Sequence, residues 1–578
     1  MSLLGVHYPA PPIYSLPSEV LLMILKAVHS DIEELPYDLQ SQLVAVSHVS
    51  RLWRNLALST SAFWTFISVS QRSLSFDHPD SDEIEDPYTI SESTIFPWIT
   101  TLLNRSGNRL LDVEIDLQIK GFNAQDSDAK NLELSDWTRK HSIVLSRLLA
   151  ARASQLRSVE ISSQLWQLIP PIVYPLAGVA MPSLQEWSTY RITNQLGFDP
   201  VADDDRKAFM PPLQGPNSSD GVDVSRQNRG GELYTNLSIL RLYGVFQDWN
   251  KLLPRNLVEI DLEHISGQYR PSSYELRALL LANQQTLKSL TLWAALPFDD
   301  DEREKFTLPN LNQLSIGFFS PEAAVYFASC LNAPNLEYLE IYDMISEDPA
   351  NFLTGATLVE AETFLQELYA IMIDEWPLEK LRRLSLRSPY FRPDYLPAVD
   401  LAFMERQVDP PLPVILEFLF RCTSLEHIEL HAPDVTTLVS LVTPVYFSGN
   451  SKAIIPCPGL KKLSLHDSHL PYIQRFLYQN SFCAFSSSDI SGRQLEEIHL
   501  VNAPPEWGVS LQPCVYGLKA GKVVNNAGFF KVNACTDTCG CVRDFDDEYE
   551  FQYPFFPPNP PLGPGKCIRR VSHLSQGL

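Results

Sequence analysis

The side chains best equipped for chemistry gather in two places. Cys535, Cys539 and Cys541 sit close together, and thiolates so near one another can bind zinc when Cys567 or a histidine completes four ligands. Their separations do not match the usual pairs set two residues apart. Three free cysteines in a turn-rich segment are the stronger reading, and no metal or cofactor is expected. The second group lies where Arg383/Ser385/Arg387, His427/Glu429/His431, Lys462/Ser464/His466 and Glu497/His499 alternate with aliphatic residues. A period of two puts each set on one face of a strand. If the four strands stack without slippage, Arg387, His431 and His466 form a ladder, a basic patch on an acidic chain. Arginine there suits bidentate contact with acidic or phosphorylated groups of a target protein. Arg383, Arg387, His431, Lys462 and His466 are therefore candidate target-binding residues. Trp293 and Tyr342, at matching positions on earlier strands with Tyr243 and Tyr338, are candidate aromatic anchors. Solvated strand residues without a partner are the competing reading. The chain has no phosphate-cradling Gly-rich loop with a following Lys-Ser/Thr, no His-Glu-x-x-His pair and no Gly-x-Ser-x-Gly elbow, so no catalytic residue is expected.

Positioning these residues falls to a motif that recurs along most of the chain: Leu, two residues, an aliphatic, one residue, an aliphatic. It occurs at Leu110/Val113/Ile115, Leu156/Val159/Ile161, Leu237/Leu240/Leu242, Leu257/Ile260/Leu262, Leu287/Leu290/Leu292, Leu311/Leu314/Ile316, Leu336/Leu339/Ile341, Leu381/Leu384/Leu386, Leu425/Ile428/Leu430, Leu460/Leu463/Leu465 and Leu495/Ile498/Leu500, with a weaker match at Leu184/Trp187. The two aliphatics point into a core from a short strand, and the leading leucine covers the turn before it. The runs Tyr274–Leu281 and Val414–Phe420 suit helices between strands. The pattern resembles a leucine-rich repeat, which implies an α/β solenoid of parallel strands, here an irregular horseshoe because the spacing exceeds the regular repeat of about 20–29 residues in several places.

A different signal opens the chain. Pro17 and Glu19 suit the first turn of a helix whose apolar stripe runs through Val20, Leu21, Ile24 and Leu25. Leu39, Leu43, Val46, Val49, Leu52, Trp53 and Leu56 keep a helical period further on. Leu16-Pro17-Ser18-Glu19-Val20-Leu21 followed by Val49-Ser50-Arg51-Leu52-Trp53-Arg54 resembles an F-box, an all-α hairpin, over residues 12–70. The resemblance implies docking on the Skp-type adaptor of a cullin-RING ubiquitin ligase. Leu16 and Pro17 match the adaptor-contacting pair, and Val20, Leu21, Ile24 and Leu25 match the apolar contact stripe. Trp53 matches the late tryptophan that packs the helices. Ser50 stands where many members have cysteine, and the connection from Ser30 to Leu39 is longer than in the shortest members. Residues 57–69 resemble the segment that follows the motif in fungal members.

The 578 residues carry a formal net charge of −24 and 45% hydrophobic side chains, enough for a large core and unsuited to nucleic acid. No apolar run is long enough to span a bilayer, so no membrane partner is expected. Nine cysteines, odd in number and mostly scattered, read as reduced thiols, placing the chain in the cytoplasm or nucleus. The expected organisation is an F-box at 12–70, an acidic linker at 71–94, and a leucine-rich-repeat-like body at 95–505. That body carries a flexible insertion near 199–231, and a cap or aromatic, Pro-rich tail follows at 506–578. The chain reads as the substrate-recognition subunit of a Skp–cullin–F-box ligase, with a non-catalytic binding scaffold that assembles no ligase as the alternative.

Overall fold

The computed structural model describes residues 16–30, 44–74, 87–119, 137–191, 234–344, 355–387, 414–431, 456–466 and 497–501, with short breaks inside some spans and a few shorter pieces beyond them. The insertion near 199–231, the segment Asp544–Pro561 and the cysteines at 535, 539, 541 and 567 lie outside the described residues. Two compact units divide the chain, Met1–Leu287 and Lys288–Leu578.

The first unit opens with the helix Ser18–Ser30, a helical turn at 44–49 and the helix Arg51–Ser59. Ser50 is the N-cap of the last, its Oγ accepting from Trp53 N at 3.3 Å, so the serine satisfies an end-of-helix donor that a cysteine would satisfy poorly. Leu21, Leu25, Trp53 and Ala57 form the interior of this hairpin. Trp64 Nε1 donates to the Ala57 carbonyl at 2.8 Å and ties the helix to strand β1, Phe66–Ser70.

From β1 the strands follow chain order: β2 Leu111–Leu117, β3 Leu156–Ser163, β4 Glu186–Arg191, β5 Ile239–Tyr243 and β6 Glu259–Glu263, each parallel to its neighbours. The sheet thus begins at Phe66, ahead of the first motif, because Ile67 and Val69 already alternate inward. The helices Pro97–Ser106 and Arg139–Ala150 make crossovers between strands. One expectation fails here. Leu110 is 40% exposed, and Leu111 takes the inward place, because the ladder to β3 is irregular between Leu111 and Asp112. At the weak match, Thr189 fills the second inward position of β4 and accepts from Trp187 Nε1 at 3.0 Å.

The second unit contains β7 Ser289–Trp293, β8 Phe306–Thr307, β9 Gln313–Phe318, β10 Leu331–Asn332, β11 Tyr338–Asp343, β12 Arg383–Arg387, β13 His427–His431, β14 Val445–Tyr446, β15 Ala453–Ile454, β16 Lys462–His466, β17 Glu497–Val501, β18 Lys522–Asn525 and β19 Gly528–Lys531. Its sheet runs β7-β9-β11-β12-β13-β16-β17-β18-β19, parallel except for the final antiparallel pair. The two-residue strands pair separately, β8 with β10 and β14 with β15. The helices Pro321–Cys330, Gly355–Glu375 and Val414–Arg421 lie between successive strands. The aliphatic pair of every one of the eleven motifs lies on a strand. In β7, β9, β11, β12, β13, β16 and β17 none of these side chains is more than 3% exposed, and each such burial is worth about 1.5–3 kcal/mol.

Turns entering the strands need polar partners as well as leucines. Ser272 and Glu275 form a reciprocal cap on the helix Ser273–Ala282, and Asn283 closes it. Asn283 is 1% exposed; its Oδ1 accepts from Leu257 N at 2.8 Å, and its Nδ2 donates to Pro254 O and Leu279 O at 3.0 and 2.8 Å. Asn283→Ala strands these groups in the interior and should cost about 2–3 kcal/mol, read as a lowered urea midpoint, whereas Tyr274→Ala on the exposed face should change it little.

Candidate functional site

Parallel register in the second unit arranges the outward side chains in three rows. One row runs Trp293, Gly317, Tyr342, Arg387, His431, His466 and Val501. The next runs Thr291, Ser315, Glu340, Ser385, Glu429, Ser464 and His499, and the third Ser289, Gln313, Tyr338, Arg383, His427, Lys462 and Glu497. Gly317 makes room for its neighbours: a Cβ there would lie 3.1 Å from the Trp293 ring and 3.2 Å from Met344 Sδ, so one of these side chains would have to shift. In the middle row, Ser385 separates Glu340 from Glu429. Two strand spacings of about 4.8 Å keep the carboxylates apart.

Each of these carboxylates holds cationic or titratable groups from the row beside it. Glu340, 5% exposed, pairs with Arg387 Nε at 2.5 Å and accepts from Ser315 Oγ at 2.7 Å and the Tyr338 hydroxyl at 3.3 Å. The Arg387 guanidinium lies 4.8 Å from the Trp293 ring centroid and 5.5 Å from that of Tyr342, and the two rings meet edge-on at 5.5 Å. Trp293 Nε1 donates to Ser315 Oγ at 2.6 Å. Arg383 stacks over Tyr338 at 5.0 Å.

Register does align Arg387, His431 and His466, but the ladder is not a bare basic patch. Arg387 is already neutralised by Glu340, and Tyr342 is 8% exposed, held within the cluster rather than offered as an open anchor. Lys462 and Arg383 occupy the third row, with Arg383 exposed.

Glu429 organises the histidines. Its Oε1 lies 3.0 Å from His431 Nε2 and 2.9 Å from His466 Nε2, and the imidazoles stack at 3.9 Å with an interplanar angle of 15°. The bond to His431 and the neighbouring His466 hold the Glu429 carboxyl down at about 2. Burial, with Lys462 and Arg383 adding repulsion, pushes His427 down to about 4, and its Nε2 lies 2.9 Å from Ser464 Oγ. The donor atoms of Glu429, His431 and His466 all fall within 4.8 Å of one another, a set able to hold a metal ion. Sequence reading placed the histidines in a row without seeing this convergence. The available signal was Glu-x-His on one strand beside a histidine at the matching position of the next.

In the first unit, the hairpin divides the expected adaptor stripe between two faces. Leu21 and Leu25 are 0% and 2% exposed and belong with Trp53 to the hairpin interior. Pro17 is exposed, Leu16 and Ile24 are half-buried, and Val20 and Met23 are 38% and 68% exposed. Val49, Leu52 and Leu58 add further exposed apolar side chains. The F-box-like family model matches residues 13–70. The chain thus carries an F-box-like domain at this end, a module that generally binds Skp-type adaptors and supplies no catalysis. No curated protein matches the chain.

The sheet that follows the F-box-like hairpin bears a different charge pattern. Its middle row reads Ser68, Glu114, Glu160, Ser188, Arg241 and Asp261. Arg241 is engaged by Glu186 and Glu259, and Arg157 by Asp112. Glu114 and Glu160 stand side by side without a serine between them. Burial, then Glu160 and Asp116, raises the Glu114 carboxyl from 4.5 to about 7. A carboxyl raised on folding holds its proton more tightly in the native state, so it withdraws stability as pH climbs from about 4.5 to 7 and withdraws nothing below that window. Glu114→Gln should therefore raise stability by about 1 kcal/mol at pH 8, after discounting for partial exposure, and leave it unchanged near pH 4, as urea unfolding at the two pH values would show.

Proposed function

We propose that this chain is the substrate-recognition subunit of a Skp–cullin–F-box ubiquitin ligase. The supporting observation is the F-box-like match over residues 13–70, joined to an apolar surface at Val20 and Met23, beside Pro17, that is exposed among the described residues. The adaptor contact consists of Leu16, Pro17, Val20, Met23 and Ile24, while Leu21, Leu25 and Trp53 hold the hairpin in shape. The F-box is of the fungal type, and residues 95–505 are a leucine-rich-repeat-like body, an irregular solenoid. Its support is the run of motif-bearing parallel strands in chain order with helices between them. That body selects a target protein through the outward rows, with Arg383 and Lys462 as charged contacts and Trp293 at the edge of the aromatic cluster. The chemistry belongs to other subunits. This chain raises the concentration of its target near the ubiquitin-carrying enzyme, a gain of proximity that needs no catalytic side chain.

The test is affinity purification of the full chain and of a Val20→Asp/Met23→Asp variant from cells that express it, with adaptor and cullin quantified. Both positions are exposed, so the variant should keep its urea midpoint while recovery of adaptor and cullin falls more than tenfold. Wild-type chain that recovers no adaptor would overturn the proposal; adaptor without cullin would identify a scaffold that assembles no ligase.

A further inference from the structure

We propose that Glu429, His431 and His466 form a binding site for a divalent transition-metal ion of the zinc class. Glu429 and His431 are two residues apart on β13 and so share a face, and His466 is the direct register partner of His431 on β16. Both Nε2 atoms are directed at one carboxylate oxygen, at 3.0 and 2.9 Å, and the three donor atoms lie within 4.8 Å of one another. Ligands about 2.0–2.2 Å from a tetrahedral zinc stand roughly 3.4 Å apart, a spacing that falls between the 2.9 Å and 4.8 Å that bound these donors. The donors are imidazole and carboxylate, the types that zinc accepts.

The surroundings favour an ion over a simple hydrogen-bonded cluster. The imidazoles stack at 3.9 Å with an interplanar angle of 15°, which sets their Nε2 atoms side by side toward the same Glu429 oxygen, the convergence that a shared ion requires. Side-chain exposures of 20%, 18% and 25% for His431, His466 and Glu429 leave an entry path from solvent. Three protein ligands leave a fourth position open to water or to a donor from a bound partner. The nearest guanidinium in the row, Arg387, is balanced by Glu340 and adds little net repulsion.

The experiment uses the full chain stripped with a chelator and titrated with Zn²⁺ against a chromogenic competitor, with Co²⁺ spectra to report the ligand type. A Cys535→Ser/Cys539→Ser/Cys541→Ser background removes the one cluster of neighbouring thiolates in the sequence. The expected result is one site in that background, with a Co²⁺ spectrum free of thiolate charge transfer. His466→Ala should weaken it more than about 100-fold, beyond the 10–100-fold that loss of a mere supporting group costs. His499→Ala, one strand further along, should leave it intact. Should His466→Ala fail to fold, His466→Gln keeps a hydrogen-bonding side chain at that position and should lose the site equally. A background chain that takes up no Zn²⁺, or one whose affinity is unchanged in the His466 variants, overturns the assignment.

Discussion

Burial of two aliphatic side chains on every strand is the constraint on which the other features rest. Because side chains alternate, fixing Leu384 and Leu386 inside obliges Arg383, Ser385 and Arg387 to face outward, and the same holds on each neighbour. A slip of one residue would bury charge and expose leucine, so register is held tightly. Parallel pairing then converts separate outward triplets into continuous rows across strands. Those rows are set by the aliphatic core on the other side of each strand, although Tyr342, Glu340 and Ser385 within them are buried too.

Rows of like side chains create an electrostatic problem that the two units handle differently. In the second unit Ser385 spaces the carboxylates, and each carboxylate gathers groups from the row beside it: Glu340 takes Arg387, and Glu429 takes His431 and His466. In the first unit Glu114 and Glu160 are adjacent, and the Glu114 carboxyl shifts upward instead. A spaced row lets each carboxylate be ordered by partners from the row beside it, whereas in the unspaced one the Glu114 carboxyl is pushed up to about 7.

Much of this was legible in the sequence because the periods are local. The motif located the strands, and the alternation of Arg383/Ser385/Arg387 with leucines assigned the outward faces. Leu16-Pro17 and the helical stripe located the start of the F-box-like segment. Facts that depend on nonlocal packing were not legible. Leu21 and Leu25 share the stripe with Val20, yet which side of the helix Arg51–Ser59 and its neighbours cover is decided in three dimensions. The capture of Arg387 by Glu340, 47 residues earlier, depends on the register of two strands. The same holds for Glu429 between two histidines, and for a strand at Phe66 that carries no leading leucine.

The central claim is that the N-terminal hairpin docks an adaptor while the strands remain available for a target. Amide hydrogen exchange of the full chain, with and without saturating Skp-type adaptor, tests it most directly, since exchange reports protection segment by segment. The account predicts slowed exchange in residues 18–30 and 44–59, with β7, β9, β11, β12, β13, β16 and β17 unchanged. Protection on those strands with none in the hairpin would contradict it.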